Sequence, residues 1–293
     1  MPNATIRIAG KDVNRVGFGA MQLPGPMVWG EPRDPDAARA VLRRVVECGI
    51  RLIDTSWYYG PHVANRLIAE TLYPYPKDLV LATKLGGART PDKGWVAAIS
   101  PEALRRGCEE DLRALRLERC EYVHLRYVDS DVPFLESLDA MMALHVEGKI
   151  GHIALSNVTL PQCEQAMART KIAGVQNLYN VVLGERALAA MPHMVVRDQE
   201  AIVDLCAAKG LAFLPFFPLA FPGTQPTSAV LSEIATRHGV SQAQVAIAWL
   251  LARSPAMVPI PGTSSLAHLE ENWAARELAL STEEVEAISR ARA

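Results

Sequence analysis

The stretch from residue 36 to residue 60, DAARAVLRRVVECGIRLIDTSWYYG, decides the fold class. Its first half has the apolar spacing of an amphipathic helix, and Gly49 follows as a glycine that ends a helix in the left-handed conformation would. An apolar strand comes next, at residues 51–55, and it ends in Asp54 and Thr55. A helix that leads through a glycine into a buried strand is typical of proteins with parallel sheets.

The same alternation of strand and helix runs along nearly the whole chain. We predict strands at 15–20, 51–55, 79–84, 122–126, 150–156, 174–178, 212–216 and 257–260. Helices are predicted at 36–48, 63–72, 101–115, 133–146, 160–170, 198–208, 228–253 (in two pieces) and 265–276. Eight strands with intervening helices favour an α/β fold of the closed (β/α)8 TIM barrel type, since no early turn carries the GxGxxG of an open dinucleotide-binding sheet.

Both ends of the chain add elements to this barrel. Residues 4–13 predict a short N-terminal β-hairpin, turned at Gly10-Lys11, across the lower end of the barrel. Ser100-Pro101 begins a helix, Gly210 ends one, and Ser281 to Glu284 has the spacing of a capping box for an extra C-terminal helix. No linker-like stretch divides the chain, so residues 1–293 are predicted to form a single domain.

Composition argues against several kinds of partner. Hydrophobic residues make up 49% of the chain and the net charge is -2, so the concentrated basic charge that nucleic acid binding requires is missing. No apolar stretch has the length of a membrane span or a signal peptide. The five cysteines are scattered, which is typical of free thiols in a reducing compartment. We therefore predict a cytoplasmic protein with no metal, membrane or nucleic-acid partner. The oligomeric state is not readable from the sequence.

In such a barrel the functional residues lie where the strands end. Three predicted strand ends carry reactive side chains: Asp54, which Tyr59 follows closely; Lys84; and the pair His124 and Arg126. Burying a lysine without a carboxylate is costly, and Asp54 on the neighbouring strand can supply one. A positive charge near Tyr59 would lower its pKa and suit it to acid–base catalysis. Spacing alone is equally compatible with a structural ion pair against which Tyr59 packs.

The residues around these strand ends resemble the aldo-keto reductase family. The matching motifs, in the order of the family, are Asp54-Thr-Ser-Trp-Tyr-Tyr59-Gly60 with Lys84, Leu155-Ser156-Asn157, Val175-Gln176-Asn177, Phe216-Phe217-Pro218-Leu219, and Ile260-Pro-Gly262-Thr263-Ser264-Ser265 through Glu271-Asn272. Each motif is weak alone, but the ordered set covers nearly the whole chain. The resemblance implies an oxidoreductase that uses NADP(H) to reduce an aldehyde or ketone.

The resemblance also implies roles for individual residues. Tyr59 would be the general acid, tuned by Lys84, which Asp54 would hold. The residues that would contact the nicotinamide and adenosine ends of the cofactor are Ser156, Asn157, Gln176, Phe216, Phe217, Leu219, Gly262, Thr263, Ser264, His268, Glu271 and Asn272. For Ser156 and Asn157, an ordinary cap of the following helix is the alternative.

Three positions depart from the pattern of the family. Arg126 stands where most members have a histidine; its guanidinium can polarise a carbonyl but cannot relay a proton at ordinary pH. The alternative for Arg126 is a salt bridge to Asp129, and His124 is interpreted as an inner-layer residue of the barrel. Gly262 and His268 stand where many relatives have a lysine and an arginine, so NADP(H) is favoured by the resemblance and NAD(H) stays possible.

The substrate is less clearly indicated. Gly19-Ala-Met-Gln-Leu-Pro-Gly-Pro26, Trp29-Gly-Glu-Pro-Arg33 and the Leu-Arg that ends in Arg126 resemble a bacterial subgroup that reduces pyridoxal to pyridoxine. Four aromatic residues in loops at the mouth could form a wall for such a flat ring or could simply pack: Trp29, Trp57, Tyr58 and Trp95. The alternatives are a reductase of another small carbonyl, a nicotinamide-binding regulatory or partner subunit with little turnover, and a metal-dependent hydrolase or lyase.

Overall fold

A hairpin closes the amino-terminal end of the barrel in the computed structural model, which describes residues 5–128, 130–181, 194–195, 197–219 and 228–292. Strands β1 (Thr5–Ile8) and β2 (Lys11–Asn14) pair antiparallel. Ala9 and Gly10 both have positive φ, so the turn is centred one residue before the predicted Gly10-Lys11. Ile8 and Val13 pack onto the lowest layer of the barrel core. The hairpin therefore lies where it was predicted, and its turn is shifted by one residue.

Seven parallel strands form the barrel wall. In spatial order they are β3 (Phe18–Gly19), β4 (Leu52–Asp54), β5 (Val80–Arg89), β7 (Cys120–Arg126), β8 (Ile150–Ser156), β9 (Ile172–Gln176) and β10 (Ala212–Phe213). Of these, β8 has the predicted range. The others differ: β3 is cut to two residues, β4 loses one residue at each end, β5 runs five residues past its predicted end, β7 begins two residues earlier, β9 is shifted by two residues toward the N-terminus, and β10 ends at Phe213. Beyond those last two strands, a single bridge between Leu178 and Phe216 continues the pairing.

The predicted eighth strand, 257–260, is not a regular strand. Met257 makes one parallel bridge to Phe213, and on the other side the N–H groups of Gly17 and Gly19 donate to the carbonyls of Pro259 and Pro261 at 2.9 and 3.2 Å. The two prolines have no N–H, so the segment cannot form a full ladder. It nevertheless bridges β10 and β3, and the predicted (β/α)8 barrel is confirmed.

The helices surround the wall. They are α1 (Pro35–Glu47), α2 (Val63–Leu72), α3 (Pro101–Leu115), α4 (Phe134–Val146), α5 (Leu160–Arg169), α6 (Gln199–Lys209), α7 (Ala229–His238), α8 (Gln242–Arg253), α9 (Leu266–Ala274) and α10 (Thr282–Arg292). The predicted caps are present: the Ser100 hydroxyl accepts from the N–H of Ala103, and Ser281 and Glu284 form a reciprocal box. In the described parts of the chain, no helix is long and apolar enough to span a membrane.

Strand β6 (Trp95–Ala98) was missed by the sequence interpretation, which placed Trp95 in a loop. It pairs antiparallel with an extension of β5 that runs past Lys84 to Arg89. The segment between them is rich in Gly, Pro and Asp, which is typical of a loop. Gly86 lies within the extension at φ +109, and a Cβ there would lie 2.1 Å from the carbonyl oxygen of Arg126. The resulting β5–β6 hairpin stands at the carboxyl end of the strands.

Candidate active site

A buried ion pair lies at the carboxyl end of the barrel. Lys84 Nζ donates to Asp54 Oδ1 at 2.5 Å and to the carbonyl oxygen of Thr55 at 3.1 Å. The second oxygen of Asp54 accepts from Gln176 Nε2 at 2.8 Å. Asp54 and Lys84 are each 3% exposed, so neither charge is met by bulk water. The predicted pairing is confirmed, and both carboxylate oxygens of Asp54 are hydrogen-bonded.

Tyr59 lies beside this pair, with Lys84 Nζ 5.2 Å from the centre of its ring. Burial, and then the carboxylate of Asp54, raise the pKa of Tyr59 well above its ordinary value, while Arg126 lowers it. The expectation that this pKa is lowered is wrong, because burial of the hydroxyl, and after it the carboxylate of Asp54, outweigh the nearby positive charge. A raised pKa keeps the hydroxyl protonated at neutral pH, which is the form a proton donor requires.

Arg126 and His124 occupy different layers of the site. Arg126 ends β7, is half-buried, and its charge acts on both Tyr58 and Tyr59, whose pKa values it lowers. His124 is fully buried in register with Lys84, and its Nδ1 donates to the carbonyl oxygen of Thr83 at 3.2 Å. Burial and the charge of Lys84 lower the pKa of His124 to about 3, so the ring is neutral.

The interpretation of His124 as an inner-layer residue is confirmed, with one nitrogen, Nε2, lacking a partner among the described residues. Asp129, the alternative partner of Arg126, lies outside the described residues.

One cavity of about 520 Å³ connects Tyr59 to the helix that follows the barrel-closing segment. Most of the predicted site residues line it: Asp54, Tyr59, Gln176, Phe216, Phe217, Leu219, Gly262, Thr263, Ser264, His268, Glu271 and Asn272. Lys84, Arg126, Ser156 and Asn157 are not among the lining residues. The sequence interpretation missed Gly19, Met21, Gln22, Pro218, Ala243, Ile260 and Pro261 as lining residues. Gly19 could have been predicted as a lining residue, because a glycine at the end of a strand often marks a place where the backbone comes close to a ligand.

Ser156 and Asn157 lie just behind this cavity. The side chain of Asn157 donates to the carbonyl of Tyr127 at 2.7 Å and accepts from the N–H of Val195 at 2.8 Å. The hydroxyl of Ser156 is buried with no partner among the described residues. The following helix is capped by Thr159, so the alternative that Ser156 and Asn157 are its ordinary cap is wrong. A buried hydroxyl without a partner at this position suits a polar ligand.

The far end of the cavity combines close backbone contact with a helix N-terminus. A Cβ at Gly262 would lie 2.6 Å from the carbonyl oxygen of Gly19, so no side chain fits there. The Thr263 hydroxyl accepts from the N–H of Ser265, which caps α9. Hydroxyls and the first N–H groups of a helix together favour an anionic group.

The four aromatic residues predicted to form a wall separate into two sets. Trp29 and Trp95 sandwich the guanidinium of Arg89, which lies 5.3 and 4.0 Å from their rings. Tyr58 is 2% exposed and contacts Tyr59 and Trp95 edge to face. Trp57 packs toward α3, where its ring nitrogen would lie 2.7 Å from a Cβ at Gly107. Trp57 thus packs between barrel and helix, and Trp29 and Trp95 lie at the carboxyl end of the strands. None of the four predicted wall residues is among the residues that line the cavity.

Comparison with known proteins decides the family. Residues 15–293 match the model of the Aldo/keto reductase family. The chain belongs to the aldo/keto reductase family. It is 43% identical to pyridoxine 4-dehydrogenase of Escherichia coli (strain K12), covering 97% of this chain and 96% of that one. It is 37% identical to an uncharacterized oxidoreductase of Schizosaccharomyces pombe, covering 95% and 87%. An aldo/keto reductase from Klebsiella pneumoniae, solved in complex with NADP and acetate, superposes with a TM-score of 0.74 at 25% identity, over 99% of this chain and 95% of that one.

The resemblance read from the motifs is therefore confirmed, and this aldo/keto reductase is an oxidoreductase. Its strand ends, though far apart along the chain, bring both Lys84 and Gln176 into hydrogen-bond contact with Asp54. Among the described residues, no group of three or more His, Cys, Asp or Glu side chains could hold a metal ion.

Gly262 of this aldo/keto reductase offers a first test of the cavity. We expect Gly262→Ala to lower both NADPH affinity and the free energy of unfolding, the latter by about 1–3 kcal/mol, because the new methyl group must displace the Gly19 backbone. NADPH titration by fluorescence and urea denaturation measure the two effects. Gly17→Ala is the comparison variant, since a Cβ there meets the side chains of Ile260 and Leu52 at 3.1 Å and the carbonyl oxygen of Leu52 at 3.2 Å, which are looser contacts than the 2.6 Å at Gly262. Equal behaviour of the two variants would contradict the close-packed cavity floor.

Proposed function

We propose that this aldo/keto reductase uses NADP(H) to reduce aldehydes, that pyridoxal is a substrate giving pyridoxine, and that Tyr59 is the general acid. The observation that carries the proposal is the continuous cavity from Tyr59 to Asn272, with the Asp54–Lys84 pair at its inner end. The similarity to pyridoxine 4-dehydrogenase over nearly the full length of both chains supports the substrate. The NADP complex of the Klebsiella relative supports the cofactor.

The residues present fit a nicotinamide dinucleotide. A cavity of about 520 Å³ lies within the size range of ligand sites. At its inner end, the lining residue Gln176 would hold the nicotinamide carboxamide and Phe216 would stack on the ring, while the unpartnered hydroxyl of Ser156, next to Gln176 on the neighbouring strand, would add a hydrogen bond. At its outer end, Thr263, Ser264 and the N-terminus of α9 would receive the phosphate of NADP(H). When bound, the cofactor supplies the hydride.

The remaining chemistry belongs to the side chains of the protein. Tyr59, protonated at neutral pH, donates its proton to the carbonyl oxygen of the substrate. The ammonium of Lys84, fixed by Asp54, stabilises the negative charge that Tyr59 takes on as the proton leaves. Arg126 orients and polarises the carbonyl without exchanging a proton. His124 takes no part in proton transfer, because it is buried and neutral. Tyr59 is thus the one titrating acid of the proposed mechanism.

The mouth favours an unphosphorylated substrate. Arg89 is the cation between Trp29 and Trp95, but its N–H groups donate to the carbonyls of Met27, Val28, Lys93 and Gly94. Its guanidinium is thereby committed to joining two loops and is not free to bind a phosphate. This engagement of Arg89 supports pyridoxal over its phosphate ester.

The test of the proposed function is NADPH oxidation over a panel of aldehydes. We expect turnover of pyridoxal, and weaker turnover of pyridoxal phosphate by about tenfold or more, which corresponds to about 1.4 kcal/mol for a phosphate without a partner. Strong activity on other aldehydes with none on pyridoxal would overturn the substrate assignment and leave the reductase. Absence of NADPH oxidation with every aldehyde would favour the alternative of a regulatory or partner subunit.

We also propose that residues 1–293 act as one domain in the cytoplasm. A single family model matches from residue 15 to residue 293, which supports one domain. Four of the five cysteines are buried, and all five are free thiols, which suits a reducing compartment.

A further inference from the structure

A buried polar cluster lies behind the Asp54–Lys84 pair, between the barrel strands and helices α2 and α3. We call Thr55, Asn65, Thr83 and Asp111 the Asp111 cluster; each member is at most 1% exposed. Asn65 Nδ2 donates to Asp111 Oδ1 at 2.7 Å, and the hydroxyl of Thr55 donates to Asn65 Oδ1 at 2.7 Å. The mechanism proposed above uses none of these side chains.

The carboxyl group of Asp111 is only partly satisfied. Its Oδ2 meets no donor with full hydrogen-bond geometry in the part of the chain that the structure describes, although the hydroxyl of Thr83 and the backbone N–H of Trp57 lie near the carboxyl group and lower its pKa. A buried carboxyl with so few partners is costly. An amide or an apolar side chain would fill the same place between helix and strand at lower cost. The acid therefore calls for an explanation other than packing.

The cluster contacts both catalytic strands next to their reactive residues. Thr55 follows Asp54 directly, and its carbonyl oxygen accepts from Lys84 Nζ at 3.1 Å. Thr83 directly precedes Lys84 in β5. A displacement of Thr55 thus moves an acceptor of the Lys84 ammonium.

We propose that Asp111 is a positioning residue for the Asp54–Lys84 pair and that it acts through Asn65 and Thr55. This inference rests on the proposed reductase function. It assigns to a helix residue outside the barrel a part in holding the ammonium next to Tyr59.

The charge state of Asp111 predicts the direction in which pH changes the activity. Burial raises the pKa of Asp111 to about 7, against the side chains of Asn65 and Thr83, the charge of Lys84 and the backbone N–H of Trp57, which all lower it. Besides Lys84, the ionisable groups that face Asp111 are the thiols of Cys108 on α3 and Cys120 on β7, and burial raises the pKa of both, so they are neutral. Below this pKa Asp111 is neutral. Above it, Asp111 becomes a second carboxylate that attracts the Lys84 ammonium, weakening its support of Tyr59.

The experiment compares the pH profile of kcat for aldehyde reduction in the wild-type protein, Asp111→Asn and Thr55→Val. We expect kcat of the wild type to fall several-fold as pH rises from 6 to 8, and Asp111→Asn to remove this fall with NADPH affinity unchanged. Thr55→Val removes the hydrogen bond from Thr55 to Asn65 and keeps the shape of the side chain. It should likewise remove the fall of kcat with rising pH. Asp36→Asn, at a side chain that is 94% exposed, is the control for the substitution itself.

A second measurement does not depend on turnover. The ¹⁵N shift of the Lys84 ammonium should show a step near pH 7 in the wild type and none in Asp111→Asn. A wild-type profile and a step that persist in Asp111→Asn would overturn the inference. A step that disappears in the variant, in a protein that reduces no aldehyde, would support the inference and contradict the proposed function instead.

Discussion

Replacing Tyr59 with phenylalanine is expected to lower kcat for aldehyde reduction by about 10²–10⁴-fold, the usual contribution of a positioned general acid. The substitution removes one hydroxyl and keeps a ring that is 6% exposed, so the packing around it should be retained. The NADPH affinity should change little, because Gln176, Phe216 and the α9 end of the cavity remain in place. Stopped-flow single turnover with NADPH and the best aldehyde of the panel measures the chemical step, and fluorescence titration measures the affinity.

Tyr58→Phe is the matched control for this variant. Tyr58 is the adjacent tyrosine, its ring contacts that of Tyr59 at 5.3 Å between centres, and its hydroxyl is buried without a partner among the described residues. Loss of that hydroxyl should have a far smaller effect on kcat than loss of the Tyr59 hydroxyl. Unchanged turnover in Tyr59→Phe would contradict the assignment of the acid. A large, equal loss in both variants would indicate damage to the aromatic cluster instead of lost proton donation.

Replacing Lys84 with methionine is expected to reduce both stability and activity. The variant leaves the carboxylate of Asp54 buried without its cation, which typically destabilises a protein by about 3–5 kcal/mol. It also removes the positive charge that supports Tyr59 during proton transfer, so kcat should fall along with the free energy of unfolding. Urea denaturation and the kcat measured well below the unfolding transition report the two effects separately.

The double variant Asp54→Leu with Lys84→Met separates packing from catalysis. Two apolar side chains of similar size should restore most of the lost stability, because replacing a whole buried pair is often neutral or stabilising. Activity should stay low, since the charge near Tyr59 is still missing. A double variant as unstable as Lys84→Met alone would show that the 2.5 Å contact is not the source of the destabilisation. A double variant with wild-type kcat would remove Lys84 from the mechanism.

Local sequence patterns predicted the parts of this barrel that depend on neighbours along the chain. Ser100, Ser281 and Gly210 mark helix ends through contacts within about four residues, and the structure has helix boundaries at each of them. The Asp54–Lys84 pair was predictable because carboxyl ends of adjacent parallel strands meet at one edge. The residues that we propose bind the cofactor could be named from the order of several short motifs, whose positions along the chain carry the family pattern.

Other features depend on residues that are distant in sequence. The segment 257–260 reads as a strand, but its prolines restrict it to a few hydrogen bonds with β3 and β10. The β5–β6 hairpin reads as a loop, because Gly86 and Gly87 are weak strand formers on their own.

By itself, the sequence determined the alternation of strands and helices, the residues at the strand ends and the family to which they belong. The tertiary structure alone decided the direction of the Tyr59 pKa shift, the separation of Trp57 from the mouth, the engagement of Arg89 by backbone carbonyls, and the Asp111 cluster. The physical reason is that these four features depend on how deeply each side chain is buried and on which charged or polar groups lie next to it. Both depend on which distant segments exclude water from a side chain, and no pattern within one segment records that.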